Sequence, residues 1–367
     1  MTEIPLVDLA RQHAQVADEV AAGWAAVVER SAYILGAEVE RFENDFSSFM
    51  GVRHCVGVAN GTDALEMALR GLGIGPGDEV IVPANSFIAS ALGVFRAGAR
   101  PVLVDCDPAT YLLDPKEVEA RLTPRVRAVM PVHLFGQAAP VELLAGVAGD
   151  LPIIEDGAQA QGATRWGKPV GSLGTVAATS FYPGKNIGAY GDGGAVLTDS
   201  DELATRVRAL RNWGSDRKYH HPVIGFNSRL DTLQAVVLTA KLRHLADWNR
   251  QRGEAASHYL DLLSPLEPVV PPSVLEGNQH VWHLFVVRVP NRDNVMAKMR
   301  AAGVEVGVHY PIPMHLQGAL AELGYRRGEF PAPEAAATEM LSLPMFPGIT
   351  LDEQERVVAT LAAALGS

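Results

Sequence analysis

The chain has 367 residues, 48% hydrophobic and 20% charged, which is enough for a large core and ordinarily for two domains. A formal net charge of −11 excludes a general binder of nucleic acid or anionic membranes, since both rely on surplus Lys and Arg; any phosphate must therefore be met by a local site. Cys55 and Cys106 are too few for a disulfide framework, and the eleven histidines show no zinc-binding spacing. The first residues, MTEIPLVDLARQ, lack a basic segment followed by an apolar one, and no apolar run approaches the ~20 residues that cross a bilayer, so a cytoplasmic protein with no membrane partner is expected.

From about residue 52, short β-branched runs alternate with amphipathic segments. HCVGVAN is followed by the helical TDALEMALRGL, DEVIVPA by the helical SFIASALGVFRAG, and then PVLVD. Further on come VRAVMPV, the helical VELLAGVAG, LPIIED, and the strand-like VAATSFY and GAVLTD. This is the rhythm of an α/β fold with a mostly parallel sheet covered by helices, in which ligands sit at the carboxyl ends of strands. The stretch RNWGSDRKYHHPVIGFNSR, 211–229, is too long and irregular for a simple connection, and such loops usually serve a site or an interface. A long helix is expected over about 229–263. HLFVVRV, a helix near 292–302 and the run VEVGVHYPIPMHLQ then form a smaller C-terminal α+β unit. The expected division is 1–250 and 251–367.

Several strand ends carry chemistry. In NGTDAL, Gly61 permits close backbone approach, and Thr62 or Asp63 can cap a helix whose free N–H groups and dipole suit a phosphate; an ordinary capped helix explains the same residues. Phe87, after VPANS, is placed to stack on a planar ring or to enter the core. Asp156 ends LPIIED, so an apolar strand delivers a carboxylate where ligands bind; a turn aspartate is the plainer alternative. Beside a pyridine nitrogen that carboxylate would keep the nitrogen protonated, and Gln159 could reach a ring hydroxyl from the same turn. Asp105 and Asp107 in VDCDP read instead as a structural turn. Lys185 lies in SFYPGKNIGAYGDGGAV, five residues after Ser180, on a glycine-rich loop that cannot itself be a helix. Most lysines only keep a surface wet, but an amine held still on such a loop suits Schiff-base chemistry with an aldehyde cofactor. A nucleotide P-loop is excluded, because Thr179 stands where the first glycine belongs and Asn186 replaces the magnesium-binding Ser or Thr.

Five motifs in order, NGTDAL, EDGAQAQGA, SFYPGKN with GDGGA, GFNSRLDTLQA and VHYPIPMHLQ, give the chain its specific resemblance. It resembles the nucleotide-sugar aminotransferases of the DegT type over nearly its whole length. The resemblance implies the pyridoxal-phosphate fold of type I, with a mostly parallel seven-stranded sheet flanked by helices and a smaller C-terminal domain. It implies that Lys185 is the catalytic Schiff-base residue, that Asp156 pairs with the pyridine nitrogen and that Gln159 contacts the ring hydroxyl. Phe87 would stack on the ring, and Gly61, Thr62 and Ser180 would hold the phosphate. Asn227 would reach the phosphate of the neighbouring subunit, which implies a homodimer with shared sites. Some relatives carry histidine in place of the lysine and are dehydratases; the intact Lys185 favours amino transfer.

For substrate, Arg217, Lys218, Tyr219 and His221 sit in a locally basic stretch suited to a nucleotide diphosphate, whereas Arg206 and Arg208 read as a solvated helix face. His309 and Tyr310 are expected to close over the sugar, with His283 a weaker candidate. The surroundings of Lys185 resemble those of the branch that aminates 3-keto-6-deoxy sugars carried on dTDP, with L-glutamate as the donor the family implies. The alternatives are a 4-keto sugar or keto-cyclitol aminotransferase of the same family, and a non-catalytic cofactor-binding regulator.

Overall fold

The computed structural model describes residues 3–366. Three helices precede the first strand: α1 (Leu9–Ala14), α2 (Ala17–Arg30) and α3 (Ala37–Met50). In α3 the apolar residues Val39, Phe42, Phe46 and Met50 recur at helical spacing and are buried, so one face of the helix joins the core. The expected alternation follows as β1 (His54–Val58), α4 (Gly61–Gly71), β2 (Glu79–Pro83), α5 (Ala89–Ala97), β3 (Arg100–Val104), α6 (Pro115–Ala120), β4 (Val126–Val129), α7 (Val141–Ala148) and β5 (Ile154–Asp156). Two short strands, β6 (Thr164–Arg165) and β7 (Lys168–Pro169), lead to β8 (Val176–Ser180), β9 (Gly194–Thr198) and α8 (Asp201–Leu210). Every residue of β2 and of β9 is buried, as strands covered by helices on both faces require.

The strands form a parallel sheet of order β3-β2-β4 and a mixed sheet of order β1-β9-β8-β5. Isolated parallel bridges, Val129 to Ile153 and Val132 to Asp156, connect the two. The sheet is less parallel than expected because β9 runs antiparallel to both β1 and β8. No helix separates β8 from β9, and a strand that returns without a crossover helix pairs antiparallel.

The long helix α9 spans Thr232–Leu263, starting a few residues later than the pattern predicts, and the expected border at 250 falls inside it. Beyond it come β10 (Asn278–Gln279), β11 (Phe285–Arg288), α10 (Arg292–Ala301), α11 (Pro331–Glu339), β12 (Met340–Leu343) and α12 (Leu351–Leu365). Strands β11 and β12 pair antiparallel, and Tyr259 of α9, Phe285, Leu341 and Val357 meet in a core of their own. Ile4 belongs to that same core and bridges to Val304. Among the described residues, no helix is long and apolar enough to cross a membrane.

Candidate active site

A cavity of ≈ 700 Å³ opens where β5 and β8 end and α4 begins. Strand alternation decides which of two consecutive carboxylates faces it. Glu155 is fully buried away from the cavity, where it pairs with His133 at 2.8 Å and accepts backbone N–H bonds from Gly171, Leu173 and Gly174. Asp156 points the other way and lines the cavity. Its Oδ2 accepts from Ser90 Oγ at 2.8 Å and its Oδ1 from the Ala158 N–H at 3.2 Å. Ser90 is fully buried in α5, and its Oγ lies 2.9 Å from Ser86 Oγ.

Lys185 lines the same cavity. Burial pulls its amine down to about 8, against an opposing pull from the Asp156 charge, so an appreciable share of it is a neutral nucleophile near neutral pH. Gln159 accepts the Phe135 N–H on Oε1 at 2.6 Å and donates from Nε2 to the Tyr310 hydroxyl at 3.1 Å, which fixes its amide in one orientation.

At the start of α4, Asn60 has extended backbone and its side chain accepts the Asp63 N–H at 2.8 Å. Gly61 and Thr62, the first helical residues, line the cavity with N–H groups that have no acceptor within the helix. Only glycine fits at 61: an added Cβ would stand 2.6 Å from the Cβ of Ser180. That contact brings the helix start and the end of β8 together, so Gly61, Thr62 and Ser180 share one wall.

Phe87 is 53% exposed, and its ring lies 5.5 Å from that of Tyr310 across the mouth of the cavity. His309 and His283 line the wall as well; burial, reinforced by Lys185, pulls His309 down to about 4 and places His283 well below the ordinary histidine range. The 211–229 loop is different. Arg217, Lys218, Tyr219, His221 and Asn227 are exposed and none of them lines the cavity of this chain. Tyr219 is 87% exposed with Lys218 over its ring, and His221 Nδ1 meets the Trp213 carbonyl at 2.9 Å. Asp105 and Asp107 form a turn, as expected: Asp107 Oδ1 accepts from Ala109 N, Thr110 N and Thr110 Oγ1.

Sequence reasoning missed Ser90, Ser86, Asp192, Tyr182, Leu6 and Val7, all in the cavity lining. Alternation along IIED would have separated Glu155 from Asp156, but nothing local marks Ser90 as the partner of a carboxylate 66 positions away.

A buried amine of lowered pKa shares one cavity with a held carboxylate at the strand ends of an α/β fold, an arrangement suited to Schiff-base chemistry with an aldehyde cofactor. The chain belongs to the DegT/DnrJ/EryC1/StrS aminotransferase family, whose sequence profile matches residues 15–362. It is 45% identical over 357 residues to the dTDP-3-amino-3,4,6-trideoxy-alpha-D-glucose transaminase of Streptomyces venezuelae, covering 97% of this chain and 94% of that one. It is also 45% identical over 363 residues to a pleiotropic regulatory protein of Geobacillus stearothermophilus, covering 98% of each. Among solved structures, the S. venezuelae protein DesV in complex with a ketimine intermediate matches with a TM-score of 0.98 and 44% identity over 100% of both chains.

Proposed function

We propose that this protein transfers the amino group of L-glutamate to a nucleotide-linked keto sugar, a dTDP-3-keto-6-deoxyhexose, giving a dTDP-3-amino sugar, with pyridoxal phosphate as cofactor. The observation that carries the reading is the Lys185 amine, lowered to about 8 by burial and set in one cavity with the Asp156 carboxylate. Support for the acceptor comes from the S. venezuelae relative, whose name is that of a dTDP-3-amino sugar transaminase.

The residues fit this cofactor. The close approach of Gly61 to Ser180 sets the free N–H groups of Gly61 and Thr62 in one wall with the Ser180 side chain, a donor set that suits a phosphate. Asp156 matches a protonated pyridine nitrogen, Gln159 a ring hydroxyl, Phe87 a ring face and Lys185 an aldehyde. When bound, the cofactor supplies an electron sink for a carbanion at the donor's α-carbon. With that group bound, Lys185 Nζ, as a neutral amine, would take the proton from the donor's α-carbon and deliver it to the carbon that takes up the nitrogen. Asp156, fixed by Ser90 and the Ala158 N–H, would hold a proton on the ring nitrogen. His309 and Tyr310 cover the sugar.

The exposed 211–229 loop has its use in a homodimer. Asn227 reaches the phosphate in the neighbouring subunit, and Arg217, Lys218, Tyr219 and His221 meet the nucleotide diphosphate there. The matching fold reading is one seven-stranded sheet made from the two that the isolated bridges connect, in units 1–250 and 251–367 of a cytoplasmic enzyme.

The test is the absorbance of the purified protein between about 300 and 500 nm, before and after L-glutamate. A cofactor band that moves to shorter wavelength supports the transaminase. A band that ignores glutamate favours the non-catalytic reading, for which the name of the Geobacillus relative speaks. No band, even with added pyridoxal phosphate, refutes the role of Lys185. Turnover of 4-keto sugars or keto-cyclitols but not of 3-keto sugars would move the acceptor assignment.

A further inference from the structure

We infer that His283 is a fixed hydrogen-bond acceptor on the cavity wall and selects for an acceptor sugar that carries a free hydroxyl beside its keto carbon. The inference rests on the transaminase reading and deepens it.

The argument starts from two backbone carbonyls, which can only accept. Asn249 Nδ2 lies 2.9 Å from the Gln161 carbonyl, so the amide nitrogen of Asn249 must be on that side and its Oδ1 on the other. That Oδ1 lies 2.9 Å from Asn186 Nδ2, which also donates to the Val281 carbonyl at 3.0 Å. Asn186 therefore has both donors committed and offers only Oδ1 to its remaining neighbour, His283 Nδ1, at 3.1 Å. An oxygen without a proton obliges Nδ1 of a neutral ring to carry the hydrogen, which leaves Nε2 with its lone pair free. His283 is 8% exposed and lines the cavity, and Nε2 has no hydrogen-bond partner among the described residues. His309 carries no such constraint, because its Nδ1 meets the Ser342 hydroxyl at 2.8 Å and a hydroxyl can donate or accept.

A lone pair on a buried wall discriminates among the groups of a keto sugar. The ketone oxygen and the phosphate oxygens are acceptors and gain nothing there, while a ring hydroxyl donates to it. A sugar lacking that hydroxyl leaves Nε2 dry and unpaired, which costs more than the loss of an exposed hydrogen bond. His283 is thus a specificity-determining residue, oriented by Asn186, the residue next to the Schiff-base lysine.

Two measurements test this. Long-range nitrogen–proton NMR of ¹⁵N-histidine-labelled holoenzyme, with His283→Phe to assign the signal, reads the tautomer. An Nδ1-protonated neutral ring is expected, and an Nε2-protonated ring or an imidazolium at neutral pH overturns the inference. The second is kcat/KM for a dTDP-3-amino-3,6-dideoxyhexose, run from amine to ketone, beside its 2-deoxy and 4-deoxy forms. Wild type is expected to lose roughly 10- to 100-fold on one of the deoxy forms, and His283→Phe to erase that difference. Equal rates on all three sugars in wild type, or an undiminished difference in His283→Phe, overturns it. Loss of the glutamate half-reaction in wild type would bring down the transaminase reading and the selection with it; a normal half-reaction with equal sugar rates brings down the selection alone.

Discussion

Replacing Gly61 with alanine separates the start of α4 from the rest of the cavity. The new methyl carbon would lie 2.6 Å from Ser180 Cβ and 3.2 Å from Ser180 Cα, where non-bonded carbons rest at about 3.5–4.0 Å. Ser180 cannot retreat easily: it is paired with Gly194 in β9, and a Cβ on Gly194 would itself stand 2.4 Å from the Asn60 carbonyl carbon. The helix start must lift by about 1 Å, which carries the Gly61 and Thr62 N–H groups away from a phosphate. Overpacking of this kind costs about 1–3 kcal/mol, so the affinity of apoenzyme for pyridoxal phosphate should fall roughly 10- to 100-fold. Absorbance titration with pyridoxal phosphate and with unphosphorylated pyridoxal measures this, and the loss should be confined to the phosphorylated ligand. Gly146→Ala in α7, where an added Cβ meets nothing within 4 Å, is the control and should stabilise by about 0.5–1 kcal/mol. The reasoning is refuted if folded Gly61→Ala binds pyridoxal phosphate like wild type, or if both ligands weaken equally.

Lys185→Ala should abolish turnover in a coupled assay with glutamate; retained activity would sink the assignment. With the Lys185 amine at about 8, its acylation rate in apoenzyme should rise about fivefold from pH 7 to 8 and less than twofold from 8 to 9, whereas an ordinary lysine keeps gaining about tenfold per unit. Mass spectrometry of the Lys185 peptide distinguishes the two. Ser90→Ala removes a donor to the buried Asp156 carboxylate and should weaken pyridoxal phosphate binding about tenfold by equilibrium dialysis, with Ser90→Thr restoring most of it; unchanged binding in Ser90→Ala contradicts the role. Lys185→Ala and Asn227→Ala, each inactive alone, should recover about a quarter of wild-type activity when refolded together, because half of the dimers then hold one intact site. No recovery would argue against shared sites.

Much of the cavity was legible because strand ends and helix starts announce themselves. The apolar run before Asp156, the glycine at 61 and the loop bearing Lys185 each combine a local pattern with a chemical group, and all three line one cavity. What escaped depends on distance in sequence. Ser90 reads as an ordinary helical serine until α5 packs beside β5, and Leu6 and Val7 read as a leader to α1 until the chain folds back. The direction of β9 turns on whether a helix fits between two strands, and the glycine-rich stretch from 181 to 193 already held the sign, since a loop that cannot be a helix leaves the returning strand to pair antiparallel. The 211–229 loop stands out by its composition, yet Arg217, Lys218, Tyr219, His221 and Asn227 lie away from the cavity of their own chain, a placement that nothing in their local pattern marks.

The path of the first described residues matters for anyone handling this protein. Ile4 is held by Gly303 and Glu305 through paired backbone bonds, the Leu6 carbonyl accepts from Met345, and Leu6 and Val7 then form part of the cavity wall. This short strap stitches the C-terminal core to the binding pocket. A purification tag or fusion partner attached just ahead of it would pull on the pocket's own lining. The other terminus leaves from α12, whose residues are absent from that lining, and offers the gentler place for attachment.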